Sequence, residues 1–352
     1  MKVIITGGAG FIGSNAAARA LRRGDAPVVV DNLSRPGALH NLRWLRSLGA
    51  EHFESTDLRD AEATRHTFDL HRDADRVLHL AGQVAVTTSV ANPRLDFEAN
   101  ALATLNVLEA LRLNKSKAAL IYASTNKVYG GMADLEITQR DGRYAYRDFP
   151  RGIDEERQLD FHSPYGCSKG AADQYVRDYS RVYGIPTVVF RQSCIYGQRQ
   201  WGMEDQGWIA WFMLASLTAR PITVYGDGLQ VRDVLFVEDL LDAYDAAWRN
   251  LPTASGRVYN IGGGPENTLS LLEVIDYLQR RSGRPLPLQW ADARPGDQQI
   301  YISNIDRAGA ELGWQPAIRL PQGLDKLYDW VRENAGEANL SSDSAVGKFH
   351  VA

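Results

Sequence analysis

The sequence predicts an α/β protein with a doubly wound, mostly parallel sheet. Short runs rich in valine and isoleucine alternate with longer segments of helical period, and parallel strands need such long crossovers between them. A glycine-rich run also stands directly between the first apolar run and the first helical segment. Beyond residue 191 the alternation loosens, and we expect a smaller, interleaved α/β domain there.

The first part of the chain supplies the elements of the sheet. Between Leu102 and Leu111 leucines recur every three residues, close enough to the helical period to form one apolar stripe. The predicted strands are Lys2–Thr6, Pro27–Asp31, Arg76–Ala81, Ala118–Ser124 and Thr187–Arg191, and the predicted helices are Phe11–Arg23, Asn100–Leu113 and Tyr165–Tyr183.

The later part of the chain mixes helical segments with loops rich in glycine, arginine and tryptophan. Val231–Asp239 is predicted as a strand that returns to the main body, which makes the two domains interleaved. We therefore expect the main domain to comprise residues 1–190 plus about 230–260, and the smaller domain residues 191–229 and 261–335. Residues 336–352 form a predicted polar C-terminal tail, and the predicted helices of this part are Trp208–Ala219, Glu238–Asn250 and Thr268–Gly283.

Composition and charge argue against several classes of protein. The 352 residues are 44% hydrophobic and 23% charged, as in ordinary globular proteins. A net charge of −4 argues against a nucleic-acid partner but leaves an anionic small molecule open. Cys167 and Cys194 lack the spacing of a disulfide framework or a metal cluster, so we expect no metal.

Targeting and membrane signals are also missing from the sequence. No apolar run approaches the ~18 to 20 residues of a membrane span. The chain begins directly with MKVIITGG, without a charged leader and cleavage site. We expect a cytoplasmic protein with no membrane partner.

The glycine-rich run predicts a dinucleotide site. Gly7, Gly10 and Gly13 suit a tight turn, a close approach of the backbone to a pyrophosphate, and close packing of helix on strand. The helix that begins at Phe11 and Ile12 adds N–H donors and the positive end of its dipole. Such a motif is often only a turn, but its place between strand and helix favours the functional interpretation and a Rossmann-type sheet.

Asp31 ends the second predicted strand and bears on the choice of cofactor. A carboxylate there can accept hydrogen bonds from a ribose 2′-OH and would repel a 2′-phosphate, which favours NAD over NADP. Arg35 lies close by in sequence and could tolerate NADP, and a solvated strand-end carboxylate is the ordinary alternative. Asn32 and Ser34 complete this group of candidates.

Further cofactor candidates follow the next strands, at the edge where open α/β sheets bind ligands. Asp57 is suited to the adenine amino group, with Leu58 against the adenine ring. Each is, taken alone, no stronger than ordinary loop chemistry. The other candidates are Leu80, Ala81, Gly82, Gln83, Asn100 and Ser124.

Tyr165 and Lys169 form the predicted catalytic pair. They are four residues apart, so a helix places them on one face. A tyrosine has a pKa of about 10, and a neighbouring ammonium together with an oxidised nicotinamide ring would lower it. Tyr165 could then take a proton from a substrate hydroxyl, and Lys169 could also hold the nicotinamide ribose. The spacing is common by chance, and its position after the predicted strand Ala118–Ser124, the fifth when a strand before Asp57 is counted, gives it weight.

Thr125 lies at a predicted strand end and completes the group. Its hydroxyl can hydrogen-bond the reacting oxygen and assist proton transfer. Ser124 is an alternative donor, although strand alternation points it the other way. That both hydroxyls only cap the strand stays open as the ordinary alternative.

With these motifs the sequence resembles the extended short-chain dehydrogenase/reductases of the NAD-dependent epimerase/dehydratase family. The resemblance runs from Met1 to about Ala335. Within the family it is most similar to enzymes that epimerise CDP-linked deoxysugars of the paratose and tyvelose type at C2. The segments that carry the resemblance are GGAGFIG, Asp31–Asn32, residues 79–89, STNKVYG (124–130), residues 159–179 with YGCSK, residues 190–212, Gly226–Gly228, Arg232–Asp233 and Arg294–Asp297.

The resemblance implies a cofactor, a substrate class and residue roles. NAD is the implied cofactor, a nucleotide-diphosphate sugar the implied substrate with a CDP-sugar favoured, and Thr125, Tyr165 and Lys169 the implied catalytic triad. Arg232 and Arg294 match the arginines that clamp the diphosphate, for which guanidinium forks are suited. Other substrate-pocket candidates are Gln83, Thr125, Asn126, His162, Gln200, Asp205 and Gln206, while Trp201, Trp208 and Trp211 line the pocket or fill the core of the smaller domain.

Several reactions stay open at this point. A 2-epimerase would oxidise the sugar carbon, let the keto sugar turn, and reduce it from the other face with NAD regenerated. A 4-epimerase uses the same chemistry, and decarboxylation is also open. Dehydratases of the family carry an Asp-Glu pair where Asn126 and Lys127 stand, which counts against dehydration. A non-catalytic NAD(H)-binding sensor would usually lack the tyrosine or lysine.

The resemblance also bears on assembly. The helices Asn100–Leu113 and Tyr165–Tyr183 resemble those that pair across the family's dimer, which implies a homodimer or homotetramer.

The long polar segment Gly131–Asp160 is predicted as a flap over the sugar, and such loops vary freely between relatives.

Overall fold

The computed structural model describes residues 1–294 and 297–336. Residues 337–352 of the predicted polar tail lie outside the described residues. The strands are β1 (Lys2–Thr6), β2 (Ala26–Val30), β3 (His52–Glu54), β4 (Arg76–His79), β5 (Ala119–Thr125), β6 (Ile137–Arg140), β7 (Arg143–Tyr146), β8 (Thr187–Gln192), β9 (Cys194–Tyr196), β10 (Ile222–Tyr225), β11 (Val231–Phe236), β12 (Val258–Ile261), β13 (Thr268–Ser270), β14 (Leu288–Ala291) and β15 (Ile300–Tyr301).

The helices alternate with these strands through the first two hundred residues. A π-helical turn (Glu98–Leu102) precedes α6, and a 3₁₀ turn (Asn126–Tyr129) follows β5. The helices are α1 (Phe11–Arg22), α2 (Ala38–Ser47), α3 (Ala61–Leu70), α4 (Val86–Ala91), α5 (Pro93–Phe97), α6 (Ala103–Leu113), α7 (Ser163–Tyr183), α8 (Trp208–Thr218), α9 (Val237–Arg249), α10 (Leu251–Ala254), α11 (Leu271–Ser282), α12 (Asp306–Leu312) and α13 (Leu320–Glu333).

Seven parallel strands form the central sheet, in the order β12-β8-β5-β4-β1-β2-β3. The predicted doubly wound parallel sheet is thus confirmed. Helices cover both faces, so its strands are buried runs such as Ile4–Ile5 and Val28–Val30. The strand order reverses between β1 and β4. The carboxyl ends of these two strands therefore flank a crevice of the kind in which open α/β sheets bind ligands.

Strand β11 differs from the prediction for Val231–Asp239. It pairs with β9, β13 and β15 in a second sheet instead of joining the seven-stranded one. The chain returns to the main sheet only at β12. A short apolar run predicts a strand but does not say which sheet it joins, which explains the difference.

The predicted helix Thr268–Gly283 also begins later than expected. Its first three residues form strand β13, and Ser270 then caps the helix α11. The Ser270 hydroxyl accepts from Glu273 N while the Glu273 carboxylate accepts from Ser270 N. This capping box fixes the start of the helix at Leu271.

The smaller part of the molecule has its own core. Helices α8, α11 and α13 pack together there, with Ile209, Met213, Leu278 and Leu327 buried. In the part of the chain that the structure describes, no helix has the length and apolar character of a membrane span.

The segment Gly131–Asp160 is packed against the smaller sheet and is not a free flap. It contains the antiparallel hairpin β6–β7. Tyr144 N donates to Leu229 O at 3.2 Å, and Tyr146 is buried with Tyr301 in a separate apolar cluster. A cleft of about 510 Å³ opens beside this segment, lined among others by Met132 and Asp297.

Candidate active site

The glycine-rich loop between β1 and α1 leaves no room for side chains. A Cβ atom on Gly13 would lie 2.1 Å from Gly7 O, and one on Gly7, where φ is +65°, would lie 2.8 Å from Ala81 N. Gly10 N donates to Gly7 O at 3.0 Å, and Phe11 begins the helix. Bare backbone and a helix N-terminus therefore face the crevice, as the pyrophosphate of NAD requires.

Asp31 is placed by hydrogen bonds to this loop. Its carboxylate accepts from Ala9 N at 3.1 Å and from Leu33 N at 2.8 Å. Burial raises its pKa, while the backbone donors oppose the rise. Arg35 is a mostly buried neighbour whose pKa burial lowers, and the charge of Asp205 opposes that lowering. The guanidinium thus faces a carboxylate of the smaller domain.

Asp57, by contrast, has a partner within its own loop. Its Oδ2 atom accepts from Arg59 NH2 at 2.7 Å, and this bond lowers the pKa of Asp57. Asn32 Nδ2 lies 3.5 Å from the same carboxylate, and Ser34 is exposed. Leu58 is buried in the core. The predicted adenine contact would therefore share Asp57 with Arg59.

Asn100 presents an unpartnered buried oxygen to the crevice. Its Oδ1 atom has no hydrogen-bond partner among the described residues, although the side chain is 1% exposed. A Cβ atom on Gly82 would lie 2.6 Å from this oxygen and 3.9 Å from Lys169 Nζ. The Nδ2 atom donates to Ser168 Oγ at 3.0 Å and to Asp96 Oδ1 at 3.2 Å. A donor on a ligand beside Lys169 would satisfy the oxygen, so these residues fit NAD.

The amide nitrogen and the amide oxygen of Gln83 both have hydrogen-bond partners within the protein. Its Nε2 atom donates to Ala85 O at 2.7 Å and to Asp96 Oδ1 at 2.8 Å, and its Oε1 atom accepts from Ala85 N. Asp96, which the sequence analysis did not single out, thus joins Gln83 to Asn100 and to Ser168 on α7. The other predicted residues of this edge, Leu80 and Ala81, directly follow β4.

Tyr165 lies at the start of α7 and is hydrogen-bonded to Thr125 at the end of β5. The tyrosine is 8% exposed, and its burial raises the pKa to about 12, which outweighs the lowering by Thr125. The predicted lowering of this pKa is therefore not produced by the protein's own groups.

Lys169 lies one helical turn further along α7. Its ammonium donates to Ala123 O at 2.6 Å and lies 4.3 Å from the centre of the Tyr122 ring. Burial lowers its pKa to about 7, against the charges of Asp173 and Asp96. Lys169 is not among the groups that shift the pKa of Tyr165.

Ser124 points away from Thr125, as strand alternation predicts. Its hydroxyl donates to Asp173 Oδ2 at 2.8 Å. Asp173 also forms a fully buried ion pair with Arg191 at 3.0 Å. Ser124 therefore joins β5 to α7 on the side opposite the Thr125 hydroxyl.

The two predicted diphosphate arginines lie outside the seven-stranded sheet, with Arg232 on β11 of the second sheet, and both already have protein partners. Arg232 donates to Asp297 Oδ1 at 2.6 Å and to Gln298 O at 2.5 Å. The guanidinium of Arg294 stacks at 3.8 Å on the Tyr225 ring. A diphosphate would therefore compete with Asp297 for Arg232.

Lys127 is a partly buried cation in this site, and in the sequence it counted only against dehydration. Its Nζ atom lies 3.6 Å from Asp297 Oδ1. Burial and, after it, the charge of Arg232 lower its pKa to about 8. Asn126 lies before it and has its Oδ1 atom 3.3 Å from Thr125 Oγ1. The position of Lys127, two residues after Thr125, was the signal available in the sequence.

The remaining polar candidates of the substrate pocket differ in their surroundings. His162 is 56% exposed and pairs with Asp160 at 2.9 Å. Gln200 donates to Ile195 O at 3.3 Å, while its Oε1 atom is buried and without a partner among the described residues. Gln206 forms backbone hydrogen bonds with Met203.

The tryptophans pack against the core of the smaller domain, and one of them also meets the cofactor loop. Trp201, Trp208 and Trp211 all contact that core. Trp201 Nε1 donates to Asn41 Oδ1 at 2.9 Å. Asn41 Nδ2 donates in turn to Ala9 O at 3.1 Å and to the carbonyl oxygen of residue 199 at 3.3 Å. Asn41 thus joins the glycine-rich loop to the smaller domain.

Comparisons with known proteins agree over almost the whole chain. A model of the NAD dependent epimerase/dehydratase family matches residues 3–262. CDP-paratose 2-epimerase of Salmonella typhi is 45% identical over 336 residues, which are 94% of this chain and 99% of that protein.

Two solved structures share the architecture. UDP-glucose 4-epimerase of Thermotoga maritima, solved with UDP-glucose, superposes with a TM-score of 0.82 at 29% identity and covers 95% of this chain and 99% of its own. dTDP-glucose 4,6-dehydratase of Streptomyces venezuelae, solved with NAD, gives a TM-score of 0.82 at 27% identity and covers 96% of this chain and 98% of its own.

Proposed function

Since the chain belongs to the NAD-dependent epimerase/dehydratase family, we propose that it epimerises a nucleotide-diphosphate sugar at C2. It is an NAD-dependent nucleotide-sugar epimerase, and the proposed substrate is a CDP-linked deoxysugar of the paratose and tyvelose type. The identity with the Salmonella enzyme supports the nucleotide and the carbon. The observation that carries the chemistry is the hydrogen-bonded Thr125–Tyr165 pair, with Lys169 one turn away, at the crevice of the sheet.

The residues of the triad have distinct roles in this proposal. Tyr165 removes the proton of the sugar hydroxyl when the carbon is oxidised and gives it back when the alcohol forms again. Thr125 hydrogen-bonds the phenolate and so lowers its free energy. Bound NAD supplies the hydride acceptor and, when oxidised, a positive charge beside the phenol. The backbone of the glycine-rich loop, Asp31 and Asn100 are proposed to hold it.

The same geometry gives no support to dehydration. Elimination of water needs a carboxylic acid and a carboxylate after the catalytic threonine, and here an amide and an ammonium stand there. Asn126 lies against Thr125, and the side chain of Lys127 points to Asp297. Neither can supply the missing carboxylates.

The assembly and the domain roles are part of the proposal. We assign NAD to the main domain and the nucleotide sugar to the smaller one. Apolar side chains on α5, α6 and α7 are between 48% and 61% exposed, which supports a homodimer or homotetramer formed through these helices. These side chains are Phe97, Leu113, Tyr175, Val182 and Tyr183. The cytoplasmic location stays a prediction from the sequence.

Proton NMR tests the proposed reaction directly. CDP-paratose or CDP-tyvelose is incubated with the purified protein without added cofactor, and interconversion of the two sugars is expected. Tyr165→Phe should abolish it. If neither sugar reacts even with NAD added, while a UDP- or dTDP-sugar is inverted at C4, the C2 assignment is wrong.

A further inference from the structure

Two cationic side chains, those of Lys127 and Arg232, lie against the carboxylate of Asp297 close to Thr125. Lys127 N donates to Thr125 Oγ1 at 3.2 Å, which fixes the lysine next to the reacting group. The side chain of Lys127 is 20% exposed, and its Nζ atom lies 3.6 Å from Asp297 Oδ1. The same oxygen accepts from Arg232 NH2 at 2.6 Å. One carboxylate oxygen thus serves both cations.

This arrangement leaves the lysine poorly paired. Its 3.6 Å separation from Asp297 exceeds the ~2.7–2.9 Å of a charge-assisted hydrogen bond. An incompletely compensated charge that is partly withdrawn from water is unfavourable, and the fall in the pKa of Lys127 to about 8 reflects burial and the charge of Arg232. Lys127 and Arg232 can therefore bind further anionic oxygen atoms.

The two cations also lie toward the catalytic tyrosine. The Cys194 thiol is within electrostatic range of Lys127 and Arg232, and it is equally within range of Tyr165. Together with the hydrogen bond from Lys127 N to Thr125 Oγ1, this places Lys127 beside the reacting groups, with Arg232 next to it on the shared carboxylate.

The chemistry of the sugar says which anion belongs at such a place. The phosphate is attached through oxygen to C1, so three bonds separate C2 from phosphorus, whereas five bonds separate C4 from it. A protein that reacts at C2 must hold the sugar-side phosphate close to its catalytic hydroxyls. A protein that reacts at C4 holds the phosphate further away.

We propose that Lys127 joins Arg232, which the family resemblance already assigns to the diphosphate, in the subsite for the sugar-side phosphate, and that Asp297 occupies this subsite until the phosphate displaces it. The proposal rests on the proposed function, because it takes a nucleotide-diphosphate sugar as the substrate. It assigns Lys127 as the residue that fits the pocket to C2 chemistry. Asp297 is 39% exposed and lines the cleft beside Gly131–Asp160, so its side chain can turn toward solvent when the phosphate arrives.

Calorimetric titration with CDP and CMP tests the subsite, because CMP lacks the second phosphate. Lys127→Met should weaken CDP binding by about tenfold or more and CMP binding by less than about threefold, the loss expected for one charge-assisted contact. Lys127→Arg should keep most of the CDP affinity. Lys117→Met, at an exposed lysine on the opposite part of the fold, is the matched control and should change neither affinity.

The retained CMP affinity of Lys127→Met shows that the variant is folded. An equal loss of CMP and CDP affinity, or no loss of either, would overturn the subsite. Because the titration needs no turnover, it separates the two proposals. A selective loss of CDP affinity in a protein that fails the C2 assay keeps the subsite and rejects the C2 reaction.

Asp297→Asn tests the displacement. Removing the competing charge frees both cations, so CDP affinity should rise by about threefold to tenfold with little change for CMP. A fall in CDP affinity in this variant would show that Asp297 supports the subsite and would overturn its role as an occupant.

Discussion

Tyr165 lies among groups that act on its pKa in opposite directions. Burial raises the pKa to about 12, the hydrogen bond from Thr125 lowers it, and the charge of Asp96 raises it further. The protein thus keeps the phenol protonated. Tyr165 can then remove a proton from the substrate only when oxidised NAD is bound beside it. Without the cofactor the phenol stays neutral.

Tyr165→Phe should reduce kcat by about a hundredfold to ten-thousandfold, the contribution of a positioned acid or base. The fold should be unaffected, since the phenylalanine keeps the ring. Initial rates by NMR measure the effect, and Tyr175→Phe at an exposed position of the same helix is the control. Comparable rates for Tyr165→Phe and wild type would show that another group moves the proton.

Lys127 predicts a pH dependence of nucleotide binding. The ammonium is present below its pKa of about 8 and is lost above it. CDP affinity should therefore be highest below pH 8 and should fall as the pH rises through 8 to 9. The groups that face Lys127 and could mask the effect are Arg232, Asp297 and Cys194, and burial raises the pKa of the Cys194 thiol.

Titration calorimetry across this pH range measures the dependence. Lys127→Met should show a nearly flat profile. A wild-type affinity that stays constant from pH 7 to 9.5 would contradict the role of the ammonium.

The sequence was informative about residues whose place is set by one strand or helix. Thr125 ends β5 of the parallel sheet, and Tyr165 and Lys169 lie on the next long helix, α7, so their proximity could be predicted. The surroundings of Gln83 and Asp57 depend on partners in other segments and on local loop geometry. The hydrogen bond between Gln83 and Asp96 and the hydrogen bond between Arg59 and Asp57 could not be predicted from the spacing of residues in the sequence.

At the scale of elements, two loops are joined across the domains by asparagines. Asn41 on α2 connects the glycine-rich loop to residue 199 and Trp201. Asn15 on α1 donates to the carbonyl oxygen of Gln198 at 2.9 Å. The loop of the smaller domain is thereby held against the cofactor cradle, which fits an enzyme that regenerates its cofactor in each turnover.

Asn41→Ala should release NAD faster, by about tenfold, because three hydrogen bonds between the loops are lost. NAD content after gel filtration and the release rate by fluorescence measure it. Asn250→Ala, which removes two hydrogen bonds to carbonyl groups far from the cradle, is the matched control. Equal NAD retention in Asn41→Ala and wild type would contradict the link.

Five of the seven strands of the main sheet, β1, β2, β4, β5 and β8, were predicted with residue ranges, because strand and helix periods alternate clearly there. The residues beyond 191 were harder. The local pattern of Val231–Phe236 predicts a strand but not the sheet to which it belongs. Its partners β9, β13 and β15 are short and distant in sequence. Pairing of this kind is decided by tertiary packing, which a local pattern does not contain.

At the scale of the whole molecule, the exposed apolar side chains on α5, α6 and α7 predict an oligomer. Light scattering at micromolar concentration should give the mass of a dimer or tetramer. Val182→Glu places a charge in the predicted contact and should shift the mass toward the monomer, while Val90→Glu, on α4, serves as a comparison. A monomeric wild-type protein would contradict the prediction.

The central claim is that the enzyme oxidises and re-reduces the sugar at C2. The most direct test uses CDP-paratose carrying deuterium at C2, followed by proton and deuterium NMR. We predict that the inverted product keeps the deuterium at C2 and forms more slowly than from unlabelled substrate. Inversion with loss of the deuterium to water would show that a base removes it as a proton, and would contradict the redox account.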